Sequence, residues 1–243
     1  MIRVLIVDDQ EIVREGLKML LSLHEDMVLV GEAGNGEELL KRLKELKELA
    51  ETEALLSGLP EQAGAASSLV PDVLLMDVRM PVMDGIEATR QVKQLYPGIK
   101  ILILTTFDEE AYLFGGLRNG ADGYMLKESG SGEIAAAIRT VFGGGMLLDA
   151  KARPSIIRAL EGLPREPLEE QSRDPLALLT PRERDTVRLL LDGKSNREIG
   201  EAMYVTEGTV KNYVSRILEK LELKSRAELI VYLGFLRSGR EHR

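Results

Sequence analysis

The sequence predicts a doubly wound α/β domain on a five-stranded parallel sheet, followed by a small all-α domain of four helices. Three observations predict it. Residues 2–143 alternate strand-like and helix-like segments, five times over. Several of the strand-like segments are nearly unbroken apolar runs, as expected for parallel strands covered on both faces. From Thr180 onward the pattern is helical only, with three helix starts of the form Ser/Thr-x-x-Glu.

Taken in order, the predicted strands are Ile2–Val7, Met27–Glu32, Val73–Met76, Lys100–Leu104 and Gly123–Leu126. Between them, Val13, Leu17, Leu20 and Leu21 share one helical face, and Ile134, Ile138, Val141 and Phe142 share another. The 34 residues from Glu37 to Val70 exceed the roughly 11–12 of a mean helix plus a short connection. Leu39, Leu43 and Leu46 recur at helical spacing there, and Glu37–Lys41 and Glu38–Arg42 are favourable i,i+4 pairs. Gly58 and Pro60 stop that helix, and residues 62–68 read as a flexible loop away from the edge formed by the strand ends. The first domain is thus expected over 1–146. Residues 147–179, with four prolines and many charges, read as a linker holding a short helix over Ser155–Leu160. The second domain is expected over 180–243, its starts marked by Thr180/Glu183, Ser195/Glu198 and Ser225/Glu228, with Pro181 at a first helical position and Thr206 as a further cap.

Composition narrows the function classes. The 243 residues contain no cysteine, which excludes disulfides and thiolate metal sites. No apolar run approaches the roughly 18 residues of a membrane span, so no membrane partner and a cytoplasmic location are expected. The net charge of −8 is uneven: from Thr180 onward 13 Lys+Arg face 10 Asp+Glu, leaving 19 against 30 for the rest. Only the C-terminal part has a balance suited to nucleic acid.

Asp8 and Asp9 end the first strand, Asp77 the third, Thr105 the fourth and Lys127 the fifth. In a parallel sheet these ends lie on one edge, where ligands bind in this architecture. Three converging carboxylates need a cation, and with no His or Cys nearby a hard ion such as Mg2+ fits best. Asp77 can then act as a carboxylate nucleophile toward a phosphoryl group, with Lys127 and the Thr105 hydroxyl receiving its oxygens. A Mg2+-dependent phosphatase is the rival reading. Such enzymes usually carry an acidic residue two positions after the nucleophile, where this chain has Arg79.

The segments LIVDDQEIVREGL, LLMDVRMPVMDGIEA, ILILTTF and GADGYMLK together resemble the receiver domains of two-component response regulators, and the whole chain resembles their NarL/FixJ subfamily. The resemblance implies a flavodoxin-like fold in which Asp9 ligates the metal directly, Asp8 largely through water, and the Arg79 main-chain carbonyl completes the protein ligands. It makes Asp77 the phosphoacceptor, Thr105 and Tyr124 the switch pair, and Lys127 the phosphate-pairing lysine. Three features depart from the family pattern: the long 37–70 segment, Glu128 in place of proline after Lys127, and Gly115-Gly116 inside the expected fourth helix. Those glycines imply either a pliable helix or close packing that needs small residues.

At 100° per residue, Thr206–Leu221 gathers Val210, Val214, Ile217, Leu218 and Leu221 on one side. Gly208, Lys211, Asn212, Ser215 and Glu219 gather on the other, a narrow polar face suited to a major groove. Residues 179–230 are similar throughout to LuxR-type helix-turn-helix domains. The resemblance implies Ser195–Met203 as supporting helix and Thr206–Leu221 as recognition helix. Lys211, Asn212 and Ser215 then face bases, while Lys194, Asn196, Thr209, Arg216 and Lys220 contact the DNA backbone. The expectation is a DNA-binding regulator rather than an enzyme, catalysing only its own phosphorylation and dephosphorylation. Its expected partners are a sensor histidine kinase, double-stranded promoter DNA and, once phosphorylated, a second copy of itself.

Overall fold

The computed structural model describes residues 1–57, 69–106, 115–116, 119–148, 175–223, 225–226, 228–230 and 232–233. The expected 62–68 loop and the helix over Ser155–Leu160 lie outside the described residues.

The first domain contains β1 (Ile2–Val7), α1 (Glu11–Ser22), β2 (Met27–Ala33), α2 (Gly36–Ser57), β3 (Val73–Asp77), α3 (Gly85–Leu95), β4 (Lys100–Thr105), β5 (Gly123–Leu126), α4 (Ser131–Phe142) and β6 (Leu147–Leu148). The sheet is parallel throughout, in the order β2-β1-β3-β4-β5-β6. Its five principal strands are those read from the sequence. The sixth, a two-residue strand pairing Leu147 with Gly123 and Leu148 with Tyr124, carries the sheet into the segment read as linker.

Alternation within the apolar runs explains the two covered faces. Leu5 and Val7 of β1, with Leu74 and Met76 of β3, point into a core with Leu39, Leu43, Leu46, Ala88 and Val92 from α2 and α3. Val4 and Ile6, with Val73 and Leu75, point the other way onto Leu17, Leu20, Leu21, Ile134 and Ile138 from α1 and α4. Every side chain of β3 is buried, as burial on both faces requires. The long second helix is real: α2 runs 22 residues, and Ala50 in its last third is still buried. Gly115 and Gly116 are helical, and a Cβ on Gly116 would stand 2.4 Å from Ile103 Cδ1, so close packing explains a small residue there.

The second domain contains a 3-10 turn (Pro175–Leu178), α5 (Pro181–Leu191), α6 (Asn196–Met203) and α7 (Glu207–Lys220); residues 226, 228–230 and 232–233 are also helical. Its core joins Leu179, Val187, Leu190, Ile199, Met203, Val210, Ile217, Leu229 and Leu233. The 3-10 turn begins earlier than the expected boundary, and Leu176 packs against this core. Thr180 and Ser195 form the anticipated reciprocal caps with Glu183 and Glu198, and the Glu228 N–H donates to Ser225 Oγ at 3.0 Å. Among the described residues no helix is long and apolar enough to cross a membrane.

Candidate functional site

Strand register assembles the acidic site. Val7 of β1 stands opposite Met76 of β3, so Asp8 and Asp77 come next to each other at the carboxyl edge. Asp77 pairs with Leu104, and Thr105 with Leu126, which brings Thr105 and Lys127 to the same edge. The Lys127 N–H donates to the Thr105 carbonyl at 2.7 Å, fixing the start of the turn after β5. The Lys127 ammonium then lies 2.7 Å from Asp8 Oδ2 and 2.8 Å from Asp77 Oδ2.

The remaining oxygens are held by the main chain. Asp8 Oδ1 accepts from the Gln10 N–H at 2.9 Å, and Asp77 Oδ1 from the Val78 N–H at 2.8 Å. Asp8, Asp77 and Thr105 are buried, whereas Asp9 is exposed. The Thr105 hydroxyl donates to the Thr106 carbonyl at 3.1 Å. Tyr124, on the strand beside Ile103, is buried in the core shared with α2 and α3. Arg79 is exposed, two residues beyond Asp77.

Burial pushes the Asp77 carboxyl up to about 6, helped by the nearby Asp8 and opposed by its hydrogen bond to Lys127. Burial also works against the Lys127 ammonium, but its hydrogen bonds to Asp77 and Asp8 outweigh that and hold its pKa above the usual lysine value. One ammonium is thus shared between two buried carboxylates. Carboxylate oxygens of Asp8, Asp9 and Asp77 lie within 4.8 Å of one another. Three hard oxygen donors against one ammonium fit a divalent cation of the Mg2+ type.

Two glycines that sequence reasoning passed over hold these sites together. A Cβ on Gly85 would fall 1.9 Å from the Asp77 carbonyl oxygen, and the Gly85 N–H donates to the Val78 carbonyl at 2.8 Å. Only glycine lets the start of α3, capped by Asp84, press against the end of β3. A Cβ on Gly200 would stand 2.8 Å from the Val205 carbonyl, so α6 and the turn into α7 meet through a glycine. The available signal was a glycine inside an otherwise helical pattern.

The helix pair α6–α7 matches the expected supporting and recognition helices. Thr206 caps α7 by accepting from the Thr209 N–H at 3.2 Å, and Tyr204 turns the chain between the helices at φ 56°. Lys211, Asn212, Ser215 and Arg216 are exposed on α7, with Lys211 paired to Glu207 one turn back at 2.9 Å. Thr209 and Lys194 are half-buried. Lys220 reaches Glu183 Oε2 at 2.7 Å, so in this arrangement it braces α5 against α7. Asn196 departs furthest from its expected place on the DNA-facing surface. It is 7% exposed, and its Oδ1 accepts from Arg226 Nη1 at 2.7 Å. Sequence periodicity did not reveal Arg226 as its partner, because the two are 30 residues apart.

Comparison with known proteins agrees with both halves of this geometry. The model of the response regulator receiver domain matches residues 4–139, and that of the bacterial regulatory proteins of the luxR family matches residues 177–233. The chain is 37% identical over 238 residues to the transcriptional regulatory protein LnrK of Bacillus subtilis (strain 168), covering 96% of each. It is 34% identical to the transcriptional regulatory protein DegU of Brevibacillus brevis, over 95% of this chain and 92% of that one. It is 36% identical to the oxygen regulatory protein NreC of Staphylococcus aureus (strain bovine RF122 / ET3-1), over 95% of each.

Proposed function

Because the chain belongs to the response regulators that join a receiver domain to a LuxR-type DNA-binding domain, we propose that it controls transcription through phosphorylation of Asp77. It is a two-component transcriptional regulator, and its family is not one of classical enzymes. The observation that carries the finer reading is the Lys127 ammonium placed between Asp8 and Asp77 within a three-carboxylate cluster.

In this reading an Asp77 carboxylate oxygen bonds to phosphorus as the phosphorus–nitrogen bond of a kinase phosphohistidine breaks. The bonding electrons return to the imidazole, which takes up a proton, and an acyl phosphate remains on Asp77. Asp8, Asp9 and Asp77, with the Arg79 carbonyl, would hold Mg2+, which when bound neutralises the carboxylates and the phosphoryl oxygens. Lys127 exchanges its Asp77 contact for a phosphoryl oxygen, and the Thr105 hydroxyl turns from the Thr106 carbonyl to another. Tyr124 follows into the space that Thr105 leaves, repacking the surface beyond β5. The phosphorylated protein then forms a two-fold dimer. Lys211, Asn212 and Ser215 face bases, with Lys194, Thr209 and Arg216 near phosphates. Asn196 and Lys220 join them once their present partners release them.

Treatment with a small phosphodonor and Mg2+, followed by mass spectrometry, tests the assignment. One phosphoryl group should appear on Asp77 and persist far longer than an enzymatic turnover. Asp77→Asn should show none, since an amide is not a nucleophile here. Full labelling of the Asn variant refutes the reading, and rapid phosphodonor hydrolysis favours a phosphatase.

A further inference from the structure

A cavity of about 600 Å³ lies where the two domains meet, at the sheet edge opposite Asp77. Lys93, Lys100 and Asp122 line it from the receiver, and Ser215, Leu218 and Arg226 from the DNA-binding domain. Its volume falls within the roughly 300–1,000 Å³ of ordinary small-molecule sites.

The charges around it do not balance. Asp122 accepts from Lys93 Nζ at 2.6 Å, from Lys100 Nζ at 2.9 Å and from the Ile101 N–H at 3.0 Å. Its carboxylate is therefore shared between two ammonium groups. Arg226 is the third cation, and among the described residues it forms no ion pair. Its guanidinium donates instead to the neutral Asn196 Oδ1 and the Lys194 carbonyl, while its Nε is buried without a partner among the described residues. Burial lowers the Arg226 pKa to about 10, and burial likewise lowers that of Lys93 despite Asp122. Arg90 adds a fourth cation at the wall, already paired with Glu87. Desolvated cations that share too few anions are costly unless an anion is supplied.

We propose that this interdomain cavity binds a small phosphate-bearing anion, a diphosphate group either free or carried by a nucleotide. Lys100 and Arg90 contact it from the receiver, and Arg226 from the DNA-binding domain. Because the contacts come from both domains, the ligand binds only while they are docked and holds them so. Gly144, at φ 73°, is part of that docking: a Cβ there would stand 2.6 Å from Asn196 Nδ2. The ligand should also oppose DNA binding, since Ser215 and Leu218 of α7 line the same cavity. That consequence alone rests on the function proposed above.

The test is calorimetric titration of the full chain, without Mg2+, with inorganic pyrophosphate and separately with ADP, at ionic strength held constant with chloride. Saturable binding at one site per chain is expected. Lys100→Gln, which leaves the Lys93–Asp122 pair in place, should weaken it at least tenfold. Gly144→Ala, whose Cβ would press on Asn196 and through it on Arg226, should also weaken it by disturbing the docked arrangement. Circular dichroism establishes that each variant is folded. Equal affinity for both probes identifies the diphosphate alone as recognised, and tighter binding of ADP adds the nucleoside. Absence of saturable binding for both, or binding indifferent to Lys100→Gln, overturns the proposal. The titration contains no DNA, so failure of the transcriptional reading would leave its result unaffected.

Discussion

At the scale of single residues, the proposed chemistry rests on Asp77 being buried yet ionisable. Its pKa of about 6 means that it carries a proton in mildly acidic solution. Stability is affected with a definite sign. The folded chain binds this proton more tightly than the unfolded chain, so the contribution is complete below about pH 4 and lost as pH rises through 6. The stability difference between the metal-free protein and its Asp77→Asn variant should shift toward the variant by up to roughly 3 kcal/mol between pH 4 and pH 7. Chemical denaturation at both pH values measures it, and a constant difference would count against the raised pKa. On α7, Lys211→Ala should weaken specific DNA by roughly 1–3 kcal/mol and scrambled DNA much less. Lys220→Ala should weaken both alike and also lower the melting temperature, because Glu183 then stays buried without its partner. Titrations on both duplexes with a thermal melt separate the two roles. Asp8, Asp77, Thr105 and Lys127 were legible in the sequence because a parallel sheet sends every strand end to one edge. The inward turn of Asn196 was not, since it depends on an arginine from a different helix.

Among elements, those with local causes were the ones the sequence revealed. The caps at Thr180, Ser195 and Thr206 stand where the residue pattern put them, and α7 fills the span between its predicted caps. The helix after β2 was legible from its leucines. By contrast β6 is two leucines placed by pairing with β5 and by Leu147 packing on the core beside it, tertiary causes with no periodicity of their own. The loop between β3 and α3 hides a similar surprise. Val82 sits at φ 69° and is exposed, a left-handed conformation that branched side chains resist. Val82→Gly should stabilise the protein by about 1 kcal/mol, because the relief of strain exceeds the entropy that glycine adds to the unfolded chain. Urea unfolding reads this directly, and a loss of stability would mean that the loop is not strained.

For the whole molecule, the two domains have distinct core clusters that touch at Ile230, so the proposed coupling would pass through their contact or through dimerisation. Moving a resting population from 1:99 to 99:1 requires about 5.5 kcal/mol of differential binding. In the proposed mechanism, new phosphoryl hydrogen bonds and a dimer interface would together have to supply it. Sedimentation and DNA titration with and without phosphodonor should show a monomer becoming a dimer that binds an inverted repeat more tightly. A phosphorylated monomer of unchanged DNA affinity would disprove the coupling while leaving both domains intact. The strand order also bears on how the chain is made. β1 cannot take its central place until β3 exists, and the link that joins them, Arg3 to Asp72, spans 69 residues. Lengthening that span costs the finished protein little, about 0.6 kcal/mol per doubling. On the ribosome the effect is one of time, since at roughly 5–20 residues per second the early strands wait several seconds for their neighbour. Until then the leucine stripe of α2, which packs on β1 and β3 in the finished core, lacks half of its cover.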